Sequence, residues 1–85
     1  MDTSEQSVAE RALKIIVMIT NTEEVKGDLD LKLFEVGLLD SLGAVQLMVA
    51  ISEEFGIEIS PSEIERDDLS TPRKIIEFVN KRTAK

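Results

Sequence analysis

Apolar side chains return at every third or fourth position through most of this 85-residue chain. That spacing belongs to the 3.6-residue turn of a helix, not to the two-residue pleat of a strand. Val8, Ala12, Ile15, Ile16 and Ile19 mark a first amphipathic helix from about Ser4 to Ile19, with Thr3 and Gln6 spaced for a capping box. A second helix runs from Asp40-Ser41 to about Phe55, with Asp40 as its N-cap and Gly56 at its end. Ser60-Pro61-Ser62-Glu63 has the chemistry of a helix start, and the short third helix it opens ends near Arg66-Asp67. Thr71-Pro72 opens the last helix, whose buried stripe is Ile75, Ile76, Phe78 and Val79. Ile57-Glu58-Ile59 alternates, but three residues are too few for a strand. Residues 20–40 read as a long loop, yet Leu29, Leu31, Leu33, Phe34, Leu38 and Leu39 require it to pack across the helices. The expected fold class is therefore all-α, a helical bundle with a short third helix and a long first loop.

The length fits one domain, residues 1–85. Its core must be aliphatic, since Phe34, Phe55 and Phe78 are the only aromatics. Several chemistries fall away on composition. The chain has no Cys and no His, so it offers no zinc site, no disulfide, no thiol nucleophile and no imidazole base. The longest apolar run, Ile15 to Ile19, is far short of the roughly 20 residues of a membrane span. The start, Met1-Asp2-Thr3-Ser4-Glu5, has no basic region typical of a signal peptide. A cytoplasmic location is the expectation.

Charge is unevenly placed. The net charge is −7, but residues 21–72 carry 13 acids against 3 bases, while residues 73–85 carry five bases against one acid. An acidic middle argues against nucleic acid and anionic lipid. It serves solubility, and it can also steer a basic partner. Asp28 and Asp30 open no calcium loop, because the sixth position is Leu33 rather than Gly and the twelfth is Leu39 rather than Glu.

The second helix has apolar residues on two faces. Ala44, Leu47, Met48, Ile51 and Phe55 form a core stripe. Leu42, Val45 and Val49 form another line, rotated away from the first. Either the long loop covers that line or a partner does. Asp40-Ser41 at the helix start reads first as an ordinary cap. Ser41 is no hydrolytic nucleophile, with no His in the chain and no Gly-x-Ser-x-Gly elbow. A phosphate esterified to it, however, would sit where free amides and the helix dipole favour an anion.

The string Phe34-Glu35-Val36-Gly37-Leu38-Leu39-Asp40-Ser41-Leu42 resembles the signature of phosphopantetheine carrier proteins. The resemblance extends over about residues 8–82 and takes in the length, the long first loop and the acidic surface. It implies a four-helix acyl-carrier-like bundle. It also implies covalent 4′-phosphopantetheine, taken from coenzyme A, on Ser41. Asp40 matches the position whose carboxylate helps hold magnesium in the transferase complex. Leu42, Val45 and Val49 match exposed apolar positions of the partner-recognition helix, and Gln46 is counted with them as partner-binding. No catalytic residue and no resident metal is implied: the chain would be a carrier, not an enzyme.

The fatty-acid carriers of this family bear acids along that helix where this chain has Gly43, Gln46 and Ser52. Ser41-Leu42-Gly43, Val45-Gln46-Leu47, Arg66-Asp67 and Thr71-Pro72 with Lys74-Ile75 look instead like the D-alanyl carrier proteins of teichoic-acid alanylation. Leu69 and Ile64 depart from that pattern, which has Trp and Phe there. D-alanine held as a thioester is the favoured cargo. A specialised acyl carrier for fatty-acid, polyketide or other acyl transfer is the alternative, and an unmodified acidic interaction module is the alternative of another class. The implied partners are a phosphopantetheinyl transferase, an adenylating ligase or acyltransferase that loads the thiol, and a downstream acceptor enzyme. The chain is expected to act as a monomer. Gly43 in the first turn costs the helix about 1 kcal/mol relative to Ala and is expected to let Ser41 adjust to those partners.

Overall fold

The computed structural model describes residues 7–83. Helix α1 spans Val8–Thr20. It starts at Val8 because Ser7 and Glu10 form a reciprocal cap, with the Ser7 Oγ accepting from the Glu10 amide at 3.1 Å and the Ser7 amide donating to Glu10 Oε1 at 3.3 Å. The expected Ser4 start and the Thr3–Gln6 box lie outside the described residues. Asn21 ends the helix in the left-handed conformation, at φ 61°. The long connection then contains a one-turn helix, α2 (Glu24–Gly27), where the sequence predicts loop. Its purpose is visible in Val25, which is fully buried.

Helix α3 spans Ser41–Phe55 and α4 spans Pro72–Thr83. Between them the expected short third helix is split into two 3₁₀ turns, Pro61–Glu63 and Arg66–Leu69. Ser60 does not cap the first turn with its side chain; its hydroxyl lies 3.0 Å from that of Ser62. Ile64 and Glu65 are extended, and the Glu65 amide donates to Asp68 Oδ2 at 2.9 Å. Two helix-start sequences five residues apart compete, so neither propagates beyond a turn. The extended link lets Ile64 and then Leu69 each reach the core.

Helix α1 packs on both α3 and α4, and α4 packs on the second 3₁₀ turn. Ile15 and Ile16 of α1, Leu47 and Ile51 of α3, and Ile75 and Val79 of α4 meet in one cluster with Val25, Leu33, Leu39 and Leu69. The long connection is therefore part of the core. Its backbone is pinned accordingly: the Leu33 amide donates to the Ser70 carbonyl and the Arg73 amide to the Leu29 carbonyl, each at 2.8 Å. Arg73 Nε also donates to Asp30 Oδ1 at 2.8 Å. Among the described residues there is no strand, and no helix is long and apolar enough to cross a membrane.

Candidate functional site

Ser41 is the first residue of α3, and its position is set by the turn before it. The Gly37 amide donates to the Phe34 carbonyl, and Gly37 has φ 82°, a conformation that other residues resist. The Leu33 carbonyl then accepts from both Leu38 and Leu39, at 2.9 and 3.1 Å. Leu39 is buried, so the chain is anchored two residues before Ser41. Asp40 caps α3 by accepting from the Gly43 amide at 2.7 Å through Oδ1. Among the described residues no hydrogen bond reaches its other carboxylate oxygen. Both Asp40 and Ser41 are exposed. The amides of Ser41 and Leu42 have no place in the intrahelical ladder, and the helix dipole adds to their preference for an anion.

Gly43 has a steric reason beside the conformational one. A Cβ there would lie 3.1 Å from Leu39 Cδ1 and 3.2 Å from Asp40 Oδ1. The missing side chain makes room for the cap itself.

Ser41 opens onto a groove of about 330 Å³ walled by Phe34, Ala44, Met48, Ile64 and Leu69, with Glu65 and Arg66 at its polar side. The Arg66 guanidinium lies over the Phe34 ring, 4.1 Å from its centroid. Phe34 and Arg66 also border a second cavity of about 640 Å³ that contains Lys32, Glu35, Asp67 and Lys74. The two residues that replace the expected aromatics, Ile64 and Leu69, thus stand on the groove wall.

The second apolar line of α3 is uncovered. Leu42 is 66% exposed, Val45 51% and Val49 52%. Gln46 is exposed between them. The long loop does not fold over this face. The periodicity did not select Met18, which is 65% exposed on α1 and shares a shallow groove with Val45, Gln46 and Val49. It stands one helix away from the motif, so only the packing of α1 against α3 brings it in. Arg66, in the second 3₁₀ turn, is likewise far from the motif in sequence and joins the groove only through the fold.

Comparison with known proteins places residues 9–79 in the family described as "Phosphopantetheine attachment site". The chain is 42% identical over 73 residues to a D-alanyl carrier protein of Lacticaseibacillus casei, covering 86% of this chain and 90% of that protein. It is 44% identical to the D-alanyl carrier protein of Enterococcus faecalis, covering 86% and 94%. With that of Listeria welshimeri the identity is 46%, covering 79% and 86%.

Proposed function

We propose that this chain, which belongs to the phosphopantetheine attachment-site family and within it to the D-alanyl carrier proteins, carries D-alanine for teichoic-acid alanylation on an arm attached at Ser41. The observation that carries the assignment to Ser41 is its exposed hydroxyl at the first residue of α3, beside a groove and in the string Gly37-Leu38-Leu39-Asp40-Ser41-Leu42. These residues fit the cofactor. An open hydroxyl at a helix N-terminus suits the phosphate at the arm's root, and a groove with largely apolar walls suits a slim chain beyond it. When bound, 4′-phosphopantetheine supplies the thiol that a Cys-free chain lacks and holds the cargo as a thioester.

The chain's own work is recognition and tethering, with no catalysis. Asp40 keeps one carboxylate oxygen for the magnesium ion of the transferase while the other caps the helix. Leu42, Val45, Gln46 and Val49 form the face that partner enzymes read. The partners in this reading are the phosphopantetheinyl transferase, an adenylating ligase that loads D-alanine, and an acceptor enzyme. Contacts through a few apolar residues and charge steering suit a carrier that visits each in turn. One core cluster supports a single carrier domain, and we place it in the cytoplasm, with coenzyme A and ATP-dependent activation.

The test is mass spectrometry after incubation with coenzyme A, magnesium and a broad-specificity phosphopantetheinyl transferase. The wild-type protein gains the mass of the arm and Ser41→Ala gains nothing. The holo protein then charges with D-alanine in the presence of ATP and a D-alanine-adenylating ligase, and not with malonyl groups from malonyl-coenzyme A and a malonyl transferase. The reverse preference would return the chain to the general acyl carriers.

A further inference from the structure

Attachment at Ser41 would put a phosphodiester into the most acidic part of the chain, since residues 21–72 carry 13 acids and only Lys26, Lys32 and Arg66 as bases. Of these three, Arg66 is the one that lines the groove at Ser41. It also stands apart from the other arginines. Arg11 pairs with Glu54, Arg73 with Asp30 and Arg82 with Glu63. Among the described residues Arg66 has no ion pair. The acids that follow it are engaged elsewhere: Asp67 binds Lys74 Nζ at 2.9 Å, and Asp68 accepts from the Glu65 amide. Glu65 shares the groove with Arg66 without pairing to it. The Arg66 guanidinium is instead held on the Phe34 ring, 4.1 Å from the centroid. Stacking in this way satisfies the face of a guanidinium and leaves its edge N–H groups free, and those edge donors match two oxygens of a phosphate.

We propose that Arg66, oriented by Phe34, is a positioning residue that contacts the phosphodiester on Ser41 and aims the arm into the groove between α3 and the second 3₁₀ turn. This rests on Ser41 being the attachment point. The helix N-terminus neutralises the phosphate from one side, through the Ser41 and Leu42 amides, and the guanidinium does so from the groove side. Glu65 opposes the contact and limits its strength, which keeps the arm releasable to partner enzymes.

The experiment uses the full chain in apo and holo forms, with conversion verified by mass. In ¹⁵N-arginine-labelled protein the Arg66 Nε–H resonance shifts when the arm is added, while those of Arg11, Arg73 and Arg82 stay in place. The ³¹P line of the holo protein moves in Arg66→Gln and moves less in Arg66→Lys, which keeps the charge but loses the fork. Raising the salt from 0.05 to about 0.5 M shrinks the Nε–H shift, because the contact is exposed. Glu65→Gln enlarges it and Phe34→Leu reduces it. An Arg66 resonance identical in apo protein and in mass-verified holo protein would overturn the proposal, as would a ³¹P line indifferent to Arg66→Gln. A protein that never gains the arm's mass would overturn the Ser41 assignment itself, and this inference with it.

Discussion

Asp40 has two oxygens and, in the proposed function, two tasks that substitution can separate. Oδ1 accepts from the Gly43 amide, and an amide oxygen can do the same, since Asn caps helices about as well as Asp. Asp40→Asn should therefore leave the urea midpoint nearly unchanged while slowing arm attachment, measured by mass against time. Asp40→Ala should slow attachment as well and also cost about 1 kcal/mol of stability. A different carboxylate, Asp30, can be followed by its titration. The hydrogen bond from Arg73 holds its carboxyl below the ordinary value of 3.8. Its contribution to stability is thus fully present above about pH 3.8 and is lost as the pH falls through the lowered value. An NMR titration should place its midpoint below 3.8, and Arg73→Gln should raise it toward that value. The Asp30 carboxylate is exposed, so its titration, not the melting temperature, is the sensitive measurement. At this scale the sequence was legible where chemistry is local. Asp40 as cap follows from its residue type and position, and so does Gly56 as helix terminus. Gly43 was less so: its identity implied a weak turn, but only the 3.2 Å approach to Asp40 Oδ1 shows that the cap occupies the space of a side chain.

Helix α3 carries a core stripe and an uncovered apolar stripe on one element. Leu47 and Ile51 are buried, whereas Leu42, Val45 and Val49 contribute little to the fold because water still covers half or more of each. Replacing Val45 and Val49 together by Ser should change stability by no more than about 0.5 kcal/mol per site. The same change should raise the KM of the transferase and of the loading ligase for this carrier, read in initial-rate assays. Equal rates for wild type and double variant would mean that partners dock elsewhere. Periodicity identified both stripes but could not decide whether the second was covered, because cover depends on the path of the 20-residue connection. The third helical element was harder still. Its start residues do open a turn, but a second turn begins at Arg66, and the extended link between them is set by Ile64 and Leu69 reaching the core.

Across the whole molecule, the connection before α3 supplies core as fully as the helices do. Leu33 is as deeply buried as Ile16 or Ile75 although it lies in no helix. Leu33→Ala should cost about 2–5 kcal/mol in urea unfolding, like a truncation in a helical core. It should also slow arm attachment before the protein unfolds, since the Leu33 carbonyl holds the amides of Leu38 and Leu39 just ahead of Ser41. The leucines at 29, 31 and 33 announced a packed loop. The backbone bonds from Leu33 to Ser70 and from Arg73 to Leu29 were not readable, because they join residues about 40 positions apart.

The uncovered ridge of α3 begins at Leu42, one residue past the proposed attachment point, Ser41. If partner enzymes dock there as proposed, each one seated would hide the ridge from every other client, and visits would form a queue. Throughput would then be governed by how long each visitor lingers, and a tighter grip by one enzyme would starve the next.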